Sequence, residues 1–270
     1  MMNRWKSETG IMLALDVPDR TTAFRLLDRV ADEIDVIKFN YPLVLQEGLE
    51  IITRVKEAYP RPILADFKIA DVPVTNNRII DLCRRAGADG VMVQGFIGID
   101  AIQSAIAAAG EMKIFVVTQL TNPGGLDFTG RFTGEFAQLA RMLGAAGVQA
   151  PGNRPEVVKK VREIVGEEMM IACCGIGAQG GKFGGAIAAG GDFEIIGRAI
   201  YQAPDPARAA AEIRAAIAPP LKSGTGAGEN RRLQPLDPRD LRRGGEGHRG
   251  RQGPRTARFG RTGPEGGGKL

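Results

Sequence analysis

The chain has a single histidine, His248, and it lies in the C-terminal stretch 221–270, so general-base chemistry by histidine is excluded from the rest. Cysteine is scarce: Cys83, Cys173 and Cys174 offer no metal-ligand spacing. Adjacent Cys173 and Cys174 should point to opposite faces of a strand, which argues against a disulfide between them and for a reducing, cytoplasmic setting. No segment approaches the roughly 20 uninterrupted apolar residues that span a bilayer. The start, "MMNRWKSETG", has none of the character of a signal peptide, so no membrane partner is expected. Ser7, Ser104 and Ser223 lack any nucleophile context, and the first strand–helix turn, "LDVPDRT", lacks the glycine fingerprint of a dinucleotide fold.

Charge of one sign is also missing once the total is divided. The formal net charge is +5, but residues 221–270 hold 12 of the 36 Lys and Arg against 5 of the 31 Asp and Glu. That stretch is therefore +7, and the remaining 24 basic and 26 acidic residues leave 1–220 at −2. A basic-patch case for nucleic acid cannot be made for the body. The tail holds 13 of the 37 glycines and almost no large apolar residues, too little to offset chain entropy. The sequence thus predicts a folded domain over 1–220 and a disordered Gly/Arg-rich tail over 221–270, either dispensable or a weak RNA-binding arm.

What is present is a core and an alternation. Apolar residues make up 43% of the chain. Short β-type runs fall at 11–17, 35–40, 62–69, 90–95, 113–119, 148–151, 169–175 and 193–198, the run at 148–151 being the weakest. Between them lie segments of helical periodicity such as "TTAFRLLDRVADEI", "LVLQEGLEIITRVKEA" and "PEVVKKVREIV". Eight strand–helix alternations with short connections predict an α/β fold, a (β/α)8 TIM barrel, with a doubly wound open sheet as the competitor. Trp5, ahead of the first strand, is expected to cover the barrel's bottom.

Polar residues gather where a barrel core would exclude them. Asp16 closes strand one, Lys38 lies late in strand two, and "ILADFKIADVP" places Asp66, Lys68 and Asp71 at the end of strand three. Thr118 and Gln119 end strand five, and Arg198 ends strand eight. The C-terminal ends of the strands are where barrel active sites form. Alternate strand residues share a face, so Asp66 and Lys68 point the same way. Flanking carboxylates stabilise an ammonium, which suits Lys68 to donating a proton rather than attacking a carbonyl as a neutral amine. Lys38 extends this to an alternating Lys–Asp–Lys–Asp array, the plainer alternative being a structural ion-pair network at the barrel mouth. "GIGAQGG" (175–181) and "GRAIY" (197–201) follow strands seven and eight, where backbone amides and Arg198 can hold a phosphate.

These residues carry a resemblance. "ADFKIADVPVTN" with "VIKFNYPLV", and "GIGAQGG" with "IIGRAIY", resemble the orotidine 5′-phosphate decarboxylases over residues 11 to about 216. The resemblance implies conversion of orotidine 5′-phosphate to uridine 5′-phosphate and CO₂ with no metal or other cofactor. It implies catalytic roles for Lys68, Asp66, Asp71 and Lys38. Asp66 would press on the substrate carboxylate, and Lys68 would stabilise and protonate carbon 6. Asp16 and Lys38 would bind the ribose, Thr121 the pyrimidine edge, and Gly177, Gln179, Gly197 and Arg198 the phosphate. It also implies a homodimer in which Asp71 and Thr75 reach the partner's site. Two departures stand out: Cys174 where many members carry proline, and Gln94 where many carry histidine. Cys174 could line the pyrimidine pocket, but a small buried cysteine is the simpler reading. The Asp-x-Lys-x-x-Asp signature is shared with magnesium-dependent sugar-phosphate decarboxylases and hexulose-phosphate synthase, the main alternative. Those relatives place an acid, not a lysine, at the end of strand two. An RNA-associated protein acting through its tail is the second alternative.

Overall fold

The computed structural model describes residues 4–217. Eight parallel strands close into one barrel in sequence order, with the first paired to both the second and the last. The strands are β1 (Ile11–Ala14), β2 (Val36–Phe39), β3 (Ile63–Ile69), β4 (Gly90–Gln94), β5 (Lys113–Val117), β6 (Gly147–Pro151), β7 (Met170–Cys174) and β8 (Phe193–Ile196). All eight expected runs are strands; seven are trimmed at one or both ends, and the weakest, 148–151, gains Gly147. The helices are α1 (Arg20–Val30), α2 (Tyr41–Glu47), α3 (Glu50–Ala58), α4 (Pro73–Arg85), α5 (Ile99–Ala109), α6 (Thr133–Leu143), α7 (Pro155–Val165), α8 (Gly185–Ala188), α9 (Arg198–Tyr201) and α10 (Pro206–Ile217). None of the helices is long and apolar enough to cross a membrane, among the described residues. The tail expected to be disordered lies outside the described residues.

Pleat alternation sorts the core into two layers. Outward residues such as Ile11, Leu13, Ile37, Ile63 and Ile171 pack with the helices in one continuous cluster. Inward residues Met12, Val36, Leu64, Met92, Phe115, Met170 and Phe193 fill the barrel's lower half. Trp5 seals that end, its ring 5.3 Å from that of Phe115. The same inward rows continue upward as Lys38 above Val36 and Asp66 above Leu64, so the barrel is apolar below and charged at its C-terminal mouth.

One helical segment differs from expectation. The run 43–58 is two helices, because Gly48 takes φ +77° and its amide closes α2 on Val44 O at 2.8 Å. A side chain there would be strained in the left-handed region. By contrast, "PEVVKKVREIV" is helical end to end, with Pro155 at the first position, where its missing N–H costs nothing.

Candidate active site

The mouth of the barrel holds a cavity of about 210 Å³ lined by residues from seven of the eight strand ends. Its centre is a row of alternating charge. Asp66 is 2% exposed and places one carboxylate oxygen 3.0 Å from Lys38 Nζ and the other 2.6 Å from Lys68 Nζ. Lys38 Nζ lies a further 3.9 Å from Asp16. The order is Asp16–Lys38–Asp66–Lys68, with each interior charge between two of opposite sign.

The electrostatics of Lys38 depend on that order. Burial alone would lower its pKa, but Asp66 and then Asp16 outweigh the lost hydration, and the net shift is upward from 10.5. The buried cation is thereby held in its charged form.

Lys68 is delivered by a local departure from strand geometry. The β3–β4 register shifts between Ala65 and Ile69, and Lys68 is the one non-glycine residue with positive φ, +44°, among the described residues. A bulge re-aims a side chain, and holding an L-residue in that region costs on the order of 1–3 kcal/mol. The ammonium reaches Asp66, and the Lys68 side chain as a whole stays 29% exposed.

Thr121, Gln179, Gly197 and Arg198 line the same cavity as Asp16, Lys38, Asp66 and Lys68. The loop carrying Thr121 is braced from the next strand end, Asn153 Nδ2 donating to Thr121 O at 3.2 Å and Arg154 donating to Leu120 O at 3.3 Å. Gly177 belongs to the loop after β7 but is not among the lining residues. Asp71 and Thr75 also stand outside the cavity. Asp71 is exposed and accepts from its neighbour's amide, Val72 N, at 2.6 Å, and Thr75 sits in the first turn of α4.

Among the lining residues that the sequence did not single out as site residues are Asn40, Gln149, Ile195 and Tyr201. Gln149 had a signal, being the lone polar letter inside β6, and it is 1% exposed. Thr118 and Gln119 brace the wall instead: the Thr118 hydroxyl donates to Gln149 O, and Gln119 accepts from the Thr133 hydroxyl, both at 2.8 Å. Cys174 is not the simple core cysteine expected but lines the cavity, its thiol pushed up to about 11 by burial first and by Asp66 second.

A closed parallel barrel with an ionic row at its C-terminal mouth, flanked by glycine loops after strands seven and eight, is a (β/α)8 barrel of the enzyme type. The chain belongs to the orotidine 5′-phosphate decarboxylase / HUMPS family, whose profile matches residues 9–213. Among similar proteins is an orotidine 5′-phosphate decarboxylase of Methanococcoides burtonii, 44% identical over 210 residues, 77% of this chain and 97% of that one. A Pyrococcus abyssi protein of the same name is 44% identical over 203 residues, 75% of this chain and 96% of the relative. A crystal structure of the Methanocaldococcus jannaschii decarboxylase complexed with inhibitor BMP matches with TM-score 0.73 at 36% identity, covering 77% of this chain and 97% of that one. The Pyrococcus horikoshii enzyme matches with TM-score 0.71 at 42% identity, covering 77% and 98%.

Proposed function

We propose that this chain decarboxylates orotidine 5′-phosphate to uridine 5′-phosphate, using the Asp66–Lys68 pair. The observation that carries this reading is the ionic row itself, in one cavity with Gln179, Gly197 and Arg198. The substrate's phosphate is held by Gln179, Arg198 and the amides near Gly177 and Gly197, and its pyrimidine edge meets Thr121. Its ribose hydroxyls meet Asp16 and Lys38. The carboxylate on carbon 6 is then brought against Asp66, a like-charge contact relieved as CO₂ leaves. The carbon–carbon bond breaks with its electron pair left on carbon 6. Lys68 stabilises that charge, transfers one proton to it, and is reprotonated from solvent through its exposed side. Because the row is already in place, no solvent must reorganise as charge develops.

Lys38 favours this reading over the magnesium-dependent sugar-phosphate chemistry of the wider superfamily. Its ammonium already pairs with Asp16 and Asp66, the carboxylates that would otherwise be available to hold a divalent ion. The test is loss of the orotate absorbance when the protein meets orotidine 5′-phosphate in EDTA, beside a hexulose-phosphate assay with magnesium. Turnover only in the second would overturn the proposal.

Asp71 and Thr75 complete the partner's site in a homodimer under the same proposal. Support comes from the exposed apolar residues beside Asp71 and on neighbouring loops of the mouth: Val72, Val74, Phe96, Phe128 and Phe132. Phe96, Phe128 and Phe132 line one apolar pocket, and exposed apolar surface favours being covered. Lys68→Ala and Asp71→Ala proteins, each nearly inactive alone, should regain about a quarter of wild-type activity when mixed and allowed to exchange subunits. No recovery would place Asp71 outside the shared site. The barrel, 1–220, carries the activity by itself in this account. Removing 221–270 should leave kcat/KM within about twofold, and loss of turnover would show that the tail takes part.

A further inference from the structure

Glu194 is a fully buried carboxylate with no part in the chemistry above. It lies on β8 between the inward-facing Phe193 and Ile195, so its side chain points away from the barrel interior toward α8. Burial pushes its pKa up, and the amides it accepts from oppose that shift. A buried charge needs full hydrogen bonding to be tolerated. Here the acceptors are spent on one segment: Gly184 N donates at 2.9 Å to one oxygen, and Ala186 N at 2.9 Å and Ile187 N at 3.4 Å to the other.

That segment ends the loop carrying Gly177 and Gln179. Within the loop the backbone bonds are to itself: Gly177 N to Gly181 O at 2.7 Å, Gly180 N to Gly177 O at 2.9 Å and Gly181 N to Gly175 O at 3.1 Å. A self-bonded loop keeps its shape but needs an outside anchor to keep its place. Phe183, next to the gripped Gly184, lies under the loop: a Cβ on Gly177 would stand 3.3 Å from the Phe183 ring and 3.6 Å from Ala199. Three residues beyond Glu194 the same strand delivers Gly197, and Arg198 opens α9.

We propose that Glu194 is a positioning residue, fastening the loop after β7 to the strand that presents Gly197 and Arg198, and so holding the two halves of a phosphate grip in register. The proposal rests on the phosphate assignment made above. Its effect is carried by the three amides, not by contact with substrate.

The test uses the full chain with Glu194→Gln and Glu194→Met. Gln keeps the shape but turns a donor toward one set of amides, and Met fills the volume with no charge to desolvate, so it is expected to fold. Circular dichroism checks folding, steady-state assays give KM and kcat for orotidine 5′-phosphate, and thermal shift gives the affinity for inorganic phosphate. In both variants KM and the dissociation constant for phosphate should rise about tenfold, with kcat within about threefold, as for a displaced binding group. A folded variant with both constants unchanged, or with kcat lost and KM unchanged, overturns the proposal. Hydrogen exchange on the wild type needs no variant: the amides of Gly184, Ala186 and Ile187 should exchange as slowly as those of β8, and fast exchange overturns the anchor. A wild type that binds phosphate but leaves orotidine 5′-phosphate untouched sinks the decarboxylase reading, while the phosphate arm still judges Glu194.

Discussion

Lys68→Ala should lower kcat/KM for orotidine 5′-phosphate by at least about four orders of magnitude while the barrel stays folded. Two effects are removed together. General acid catalysis contributes roughly 10²–10⁴-fold, and a preorganised charge at the developing anion contributes roughly 10²–10³-fold. Stability should change little, because Asp66 keeps Lys38 at 3.0 Å as its partner and Lys68 is already part-exposed. The strained φ at position 68 is also easier for a smaller side chain to abandon. Stopped assays with circular dichroism on the same preparation separate the two effects. A drop of less than about tenfold would remove Lys68 from the chemistry.

Asp66→Asn should act on stability as much as on rate. The substitution leaves Lys38, 3% exposed, with Asp16 at 3.9 Å as its remaining carboxylate. Breaking a buried pair by neutralising one member costs about 3–5 kcal/mol. Activity should fall by about 10²–10³-fold through loss of the carboxylate facing the reacting group. The pH dependence gives the cleaner signature. In the wild type Lys38 has its pKa raised above 10.5, so its contribution to stability is complete below that value and is lost as pH rises through the folded value. In the variant, burial acts with only Asp16 against it, and the folded pKa should drop below the unfolded one. The unfolded chain then binds the extra proton, and stability rises with pH up to about 10.4. Urea midpoints at neutral and alkaline pH should therefore rise for Asp66→Asn and not for the wild type. Parallel profiles would contradict the ionic account of Lys38.

Much of this was readable in the sequence because the signals are local. Each strand is a short apolar run, and a charged letter inside such a run, as at Lys38 or Asp66, has no ordinary reason to be there. The parallel closed barrel followed from counting alternations. What escaped depends on the third dimension. Gly48 splits a segment whose helical periodicity continues across the break, since one residue barely disturbs the pattern. The bulge that aims Lys68 depends on pairing with β4, which no property of "ILADFKI" encodes. Asn40 and Tyr201 face the cavity because of how their helices begin and end. Thr118 and Gln119 sit at a strand end like the site residues, yet their groups are used on the wall. Glu194 reads as one acid in an apolar run, like Asp66, and only the fold shows that it faces α8 rather than the cavity.

The measurement closest to the central claim follows orotidine 5′-phosphate by NMR in D₂O with EDTA, using the wild type and Lys68→Ala side by side. The account predicts uridine 5′-phosphate carrying one deuterium at carbon 6 from the wild type, and none from the variant on the same timescale. Product from both proteins at similar rates, or product only after magnesium is restored, would contradict it.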